Sequence, residues 1–103
     1  MEFVKETKDG KIVVRLIGEL DTAAAGELQP EFSELISAAT GDIEVNCEKL
    51  EYIASSGLRL LISLHKAVRA AGHKMCVKNV HPDVMEVFQI THLDKMISIE
   101  QMA

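Results

Sequence analysis

The chain has 103 residues, of which 48% are hydrophobic, 26% are charged and only 4% are aromatic, and its formal net charge is −5. This length predicts a single domain, residues 1–103, with an aliphatic core, and the acidic balance argues against direct nucleic-acid binding, which needs a positive surface. The first residues show no basic n-region and no long apolar h-region, and no apolar run approaches the roughly 18 residues of a membrane span, so we expect no signal peptide and a cytoplasmic protein that does not enter a membrane.

The chain begins with a predicted hairpin. Residues 3–8 and 11–20 are rich in β-forming residues, and Asp9-Gly10 between them is typical of a two-residue hairpin turn. The second strand is apolar on both faces around Val14, which favours a central, covered position in a sheet.

A helix and a half-buried strand are predicted next. Asp21 and Thr22 form a suitable N-cap pair for an amphipathic helix over residues 23–39, in which Pro30 predicts a kink. Residues 43–47 then alternate between apolar and polar side chains, which is typical of a strand with one buried face.

The second half continues the alternation of helices and strands. We predict a helix over residues 58–71 that ends at Gly72, a strand over 74–78, a helix that starts near Pro82, and a last short strand within 93–99. This order predicts an α/β fold: a small, mostly parallel sheet with an antiparallel N-terminal edge strand, packed with helices.

Residue types that often carry chemistry do not form a catalytic or metal-binding pattern. Cys47 and Cys76 fall in apolar alternating runs and are predicted to be buried small side chains. A serine hydrolase would need a glycine where Ile53 stands, together with a base, so we predict no enzyme activity and no cofactor. The four histidines lack zinc-ligand spacing and are expected at the surface or as helix caps: His65, His73, His81 and His92.

The most informative stretch joins a predicted strand to the helix at residue 58. Ser55, Ser56 and Gly57 lie at this seam, where the first N–H groups of a helix lack partners and carry partial positive charge. A serine hydroxyl placed there can cap the helix, or it can carry a phosphate. The flanking residues Tyr52, Ile53 and Leu58 are expected to form an apolar rim on which a partner could dock.

Three segments in order carry a resemblance to a known family. Residues 50–61 (LEYIASSGLRLL) resemble the signature of STAS domains, the sulfate-transporter and anti-sigma-factor-antagonist family. Residues 18–21 (GELD) and 88–94 (FQITHLD) resemble two further elements of that family, and the order of strands and helices matches over nearly the whole chain. Ala54 stands where the family often has Asp, and His92 stands where it has Gly.

The resemblance implies regulation by partner switching. The unmodified antagonist binds an anti-sigma factor that is a serine kinase, which frees a sigma factor for transcription; phosphorylation ends the complex, and a phosphatase resets it. The pattern assigns Ser55 as the phosphate acceptor. It also implies a partner-binding surface around this serine, made of Asp21, Thr22, Tyr52, Ile53, Ala54, Ser56, Gly57 and Leu58.

Two other functions remain compatible with the sequence. One is a STAS module that is not phosphorylated and serves as a scaffold or as a subunit of another complex, such as a lipid-transport system. The other is a small-ligand sensor that uses the loops at the strand ends.

Overall fold

The computed structural model describes residues 1–37 and 41–100. Six strands and four helices follow one another in this part of the chain: β1 (Glu2–Lys8), β2 (Lys11–Leu20), α1 (Thr22–Ser37), β3 (Ile43–Asn46), β4 (Leu50–Ile53), α2 (Ser55–Ala70), β5 (Met75–Lys78), α3 (Pro82–Ile90), α4 (Leu93–Met96) and β6 (Ser98–Glu100). None of these helices has the length and apolar character that a membrane crossing requires.

The strands form one sheet in the order β1-β2-β3-β5-β6, with β4 paired to β2. Only the β1–β2 pair is antiparallel, and the other pairs are parallel. The predicted mostly parallel sheet with an antiparallel N-terminal edge is therefore confirmed. The hairpin turn is confirmed as well, because Asp9 and Gly10 both have positive φ, 53° and 76°.

Strand β2 changes its partner at Gly18. Residues 12–15 pair with β3, whereas residues 18–20 pair with β4, and the register shifts between Gly18 and Glu19. Gly18 has φ +106°, a conformation that other residues rarely adopt. The irregularity lets β2 continue past the end of β3 and bring Leu20 beside Ile53.

The core lies between one face of the sheet and the helices. Sheet residues such as Val14, Val45 and Val77 are fully buried and belong to the same cluster as Phe32 and Leu61 of α1 and α2. The helix α1 passes through Pro30, and its predicted end at residue 39 lies outside the described residues. Both cysteine thiols are free.

The opposite face of the sheet carries a row of ion pairs across four strands. Glu44 on β3 lies 3.0 Å from the Nζ atoms of both Lys11 and Lys78, and Lys78 also reaches Glu100 at 3.5 Å. Partial burial alone would raise the pKa of Glu44, but hydrogen bonds and charge attraction from the two lysines outweigh it and lower that pKa. These charged side chains make this face of the sheet polar, whereas the core on the other face is aliphatic.

Candidate functional site

The seam is built where β2 and β4 end side by side. Leu20 pairs with Ile53, and the N–H of Ala54 donates to the carbonyl of Leu20 at 2.9 Å. Each strand leads directly into a helix, α1 after β2 and α2 after β4. The N-termini of the two helices are therefore brought together at one edge of the sheet.

The start of α2 corrects two sequence predictions. The helix begins at Ser55 instead of residue 58, and its N-cap is Ala54, whose side chain forms no capping hydrogen bond. Ser55 and Ser56 thus occupy the first two helical positions, so the idea that one of them is the N-cap is wrong. The first helical bond is donated by Leu58 to Ala54, which leaves the N–H groups of the preceding three residues without an intrahelical acceptor.

The two serines differ in their surroundings. Ser55 is exposed, and no hydrogen bond of its hydroxyl occurs among the described residues. Ser56 is half-buried, and its hydroxyl donates to Oγ1 of Thr22 at 3.4 Å, which joins the first turns of α2 and α1. The hydroxyl that is free to react is therefore that of Ser55.

The start of α1 contains the predicted cap. The Oδ1 atom of Asp21 accepts a hydrogen bond from the N–H of Ala24 at 2.8 Å, so Asp21 is the N-cap, and Thr22 is the first helical residue instead of part of the cap. The carboxylate satisfies one free N–H and offsets the positive end of α1. Of the two neighbouring helix starts, α1 is capped by a side chain and α2 is not.

Gly57 allows α2 to approach the strands closely. A Cβ atom at this position would lie 2.7 and 2.9 Å from Cγ and Cδ2 of Leu20 and 3.0 Å from Cγ1 of Ile53. Real Cβ atoms do not come as close as the two Leu20 distances, so a larger residue would require Leu20 or the first turn of α2 to shift. Gly57 therefore fixes the position of the serines relative to β2 and β4.

The apolar rim predicted around the seam is smaller than expected. Tyr52 is 50% exposed and is available to a partner, whereas Ile53 and Leu58 are 3% and 6% exposed and belong to the core. Both belong to the same buried cluster as Leu20. The surface that a partner can touch thus consists of Tyr52 and the exposed residues in the first turns of α1 and α2.

Comparison with known proteins identifies the family. A model of the STAS domain matches residues 2–102. The chain belongs to the STAS domain family. A Staphylococcus aureus protein named anti-sigma-B factor antagonist is 28% identical over 95 residues, which cover 92% of this chain and 88% of that protein.

Solved structures of the same family superpose on this STAS domain. The anti-sigma factor antagonist SpoIIAA in its unphosphorylated form matches with a TM-score of 0.73 and 27% identity, covering 99% of this chain and 88% of that one. The Bacillus cell fate determinant SpoIIAA in its phosphorylated form matches with a TM-score of 0.77 and 26% identity, covering 99% and 92%.

The structure shows where the two residues that depart from the family motifs, Ala54 and His92, are located. Ala54 occupies the N-cap position of α2, where the aspartate of other STAS domains would be placed to cap the helix. His92 has φ 61°, in the left-handed region that favours glycine, which accounts for the glycine of the family motif. The first departure removes a cap and a negative charge next to Ser55.

The histidines are only partly as predicted. His73 and His92 lie in turns, and His81 is the N-cap residue of α3 with its ring beside the carbonyl of Glu48. His65 is instead buried at 8% exposure, and the prediction of a surface or capping role is wrong for it. Within residues 1–37 and 41–100, no group of three or more His, Cys, Asp or Glu side chains could hold a metal ion.

Proposed function

We propose that this STAS domain is an anti-sigma factor antagonist that binds an anti-sigma factor serine kinase and is released when the kinase phosphorylates Ser55. The observation that carries the proposal is the exposed Ser55 hydroxyl at the first position of a helix whose N-terminus has no capping side chain. Support comes from the relatives named as antagonists and from SpoIIAA, for which an unphosphorylated and a phosphorylated structure both exist.

The fold can accept a phosphate on Ser55 without rearranging. A phosphoserine adds about −1.5 to −2 charge and three strong acceptor oxygens. The N–H groups at the start of α2 are free to donate to these oxygens, and the helix dipole stabilises a negative charge there by roughly 0.3–1 kcal/mol. The modified domain therefore keeps its fold, and the change is confined to its surface.

The same phosphate would disrupt a complex formed at this surface. Tyr52 and the first turns of α1 and α2 form the accessible part of the seam, with the carboxylate of Asp21 already present. A second, larger negative charge would have to lose its hydration on docking or meet negative groups of the partner, and both are unfavourable. Removal of the phosphate by a phosphatase would restore binding.

In this function the protein acts in the cytoplasm by binding a partner, and it catalyses no reaction itself. The chain would act on transcription indirectly, by occupying the kinase so that a sigma factor is free to join RNA polymerase. No contact with nucleic acid is required, in keeping with the net charge of −5.

The proposal is tested with charge variants of Ser55. Binding to the candidate kinase from the same organism is measured by isothermal titration calorimetry for the wild type, Ser55→Ala and Ser55→Asp. We expect Ser55→Ala to bind like the unmodified protein and Ser55→Asp to bind at least about tenfold more weakly, equivalent to about 1.4 kcal/mol.

Ser63 provides the matched control, because it is an exposed serine two turns further along the same helix. Ser63→Asp introduces the same charge and should leave kinase binding unchanged. Equal binding of Ser55→Ala and Ser55→Asp would refute switching at this serine and would favour a STAS module that is not regulated by phosphorylation.

A further inference from the structure

A cleft of about 420 Å³ lies at the end of α2 far from Ser55. It is bounded by the last turns of α2, the turn into β5 and the junction of α4 with β6. At 1.5 Å per residue, Arg69 in this cleft is about 20 Å along the helix from Ser55. The cleft is therefore separate from the proposed phosphorylation site, and its volume falls in the range of small-molecule sites.

The charged side chains that line this cleft are of one sign. Arg69 and Lys74 line it together with the imidazoles of His65 and His73, and no carboxylate is among the lining side chains that the structure describes. Asp42 lies beside the cleft, where it accepts a hydrogen bond from the backbone N–H of Lys74 and lies 3.8 Å from His73. The side chains of Arg69 and Lys74 have no ion pair among the described residues, so their charges remain available to a ligand.

A larger groove lies on the face of the sheet that carries the row of ion pairs, and the charges that line it are not of one sign. It measures about 840 Å³ and is lined by both signs of charge, with Lys11 and Lys78 each 3.0 Å from Glu44. These lysines are already neutralised within the protein. An anion would gain less there than in the cleft beside Arg69, where the cations have no such partner.

Three of the last carbonyl groups of α2 are already hydrogen-bonded, which limits their repulsion of an anion. The carbonyls of residues 67, 68 and 69 accept hydrogen bonds from the N–H groups of residues 71, 73 and 72, respectively. Gly72, with φ +83°, makes this closure possible. The usual preference of a helix C-terminus for cations is thereby weakened at this site.

The cleft also has an apolar part. Met75 forms buried lining, and Met96 is 43% exposed, which makes it one of few large hydrophobic side chains left open to solvent in the described residues. Methionine is flexible and polarisable and adapts to ligands of different shape. A molecule with both an anionic head and an apolar body would match this lining.

His65 provides an independent indication of a binding site. It is more than nine-tenths buried, it lines the cleft, and its Nδ1 atom has no hydrogen-bond partner. A buried polar atom without a partner destabilises a fold, whereas an apolar residue of similar size would not. A histidine at this position is therefore costly for stability, and a polar ligand group in the cleft would give its ring a hydrogen-bond partner.

From this arrangement we infer that the cleft binds a small amphipathic organic anion, a carboxylate or phosphate monoester with an apolar tail. The head group would lie against Arg69 and Lys74, within reach of the ring of His65, and the tail would pack on Met75 and Met96. The inference does not depend on phosphorylation of Ser55. Either proposal can fail while the other holds, because the two sites are at opposite ends of α2.

The inference is tested by titrating the ¹⁵N-labelled protein with decanoate and following amide chemical shifts. We expect saturable shifts confined to residues around the cleft, and weaker binding for both decanol, which lacks the charge, and inorganic phosphate, which lacks the tail. Arg69→Gln and Lys74→Gln should each weaken decanoate binding by about three- to fivefold, as expected for one exposed charge pair.

Lys66→Gln is the matched control, because Lys66 is an exposed cation on the same helix outside the cleft. This variant should bind decanoate like the wild type. Absence of saturable shifts, shifts located elsewhere, decanol or phosphate binding as tightly as decanoate, or equal loss in Lys66→Gln would each overturn the inference.

Discussion

Replacement of Gly57 by alanine tests two opposing effects on stability. The added methyl group overlaps with its neighbours at the seam, whereas alanine has the higher intrinsic helix propensity. The added Cβ atom would meet Leu20 at 2.7 Å and Ile53 at 3.0 Å, and both of these side chains are buried. Overpacking of this kind typically costs about 1–3 kcal/mol. Alanine also gains up to about 1 kcal/mol over glycine in a helix, so the net destabilisation expected for Gly57→Ala is about 0–3 kcal/mol.

Gly26→Ala is the control that isolates the overlap. Gly26 is also helical, in α1, but a Cβ atom there would meet no atom within 4 Å. This variant should therefore be stabilised by up to about 1 kcal/mol, and the two variants should differ by about 1–3 kcal/mol. Urea unfolding followed by circular dichroism measures both values. Equal stabilities of Gly57→Ala and Gly26→Ala would show that close approach of α2 to Leu20 does not constrain residue 57.

Three further variants test other parts of the account. Ala54→Asp should stabilise the domain by about 0.5–2 kcal/mol in thermal unfolding, because it caps the free N–H groups of α2; no gain would mean that these groups are already satisfied. Burial and the Arg69 charge lower the pKa of His65, so the unfolded chain binds more protons near pH 6, and stability should fall as the pH drops below about 6.5. His65→Leu should reduce that slope and raise the melting temperature at pH 6, and an unchanged slope would contradict the buried position. Thr22→Val should allow some phosphorylation of Ser56 by freeing its hydroxyl, which peptide mapping after kinase treatment would detect.

Local patterns predicted the elements whose signals are local. The alternation of residues 43–47, the Asp9-Gly10 turn and the helix end at Gly72 all depend on a few neighbouring residues, and all are found in the structure. The resemblance of three motifs then gave the family. The N-cap of α2 and the burial of single residues such as His65 depend on contacts between segments that are distant in sequence. They were therefore harder to predict.

Strand β4 shows why distant pairing escapes a sequence pattern. Its four residues do not alternate, because both Glu51 and Tyr52 are exposed between the buried residues Leu50 and Ile53. The strand exists because β2 extends past Gly18 and supplies a partner. The same pairing fixes Ala54 as the N-cap of α2, although serine is the better capping residue by intrinsic preference.

The helical spacing of Leu58, Leu61 and Val68 puts His65 on the apolar face of α2, yet its polarity suggested exposure. Burial depends on how closely β5 and the α4–β6 junction approach that end of the helix, which no local pattern reveals. A polar residue on a helix face that is otherwise apolar was the available signal for the cleft.

The central claim is tested most directly by treating the wild-type protein with its kinase and ATP and mapping the product by mass spectrometry, while the kinase complex is followed by size-exclusion chromatography. The account predicts a single phosphoryl group on Ser55 and loss of the complex as the modification proceeds. A phosphoryl group on Ser56 alone, or a complex that persists when Ser55 is fully modified, would contradict it.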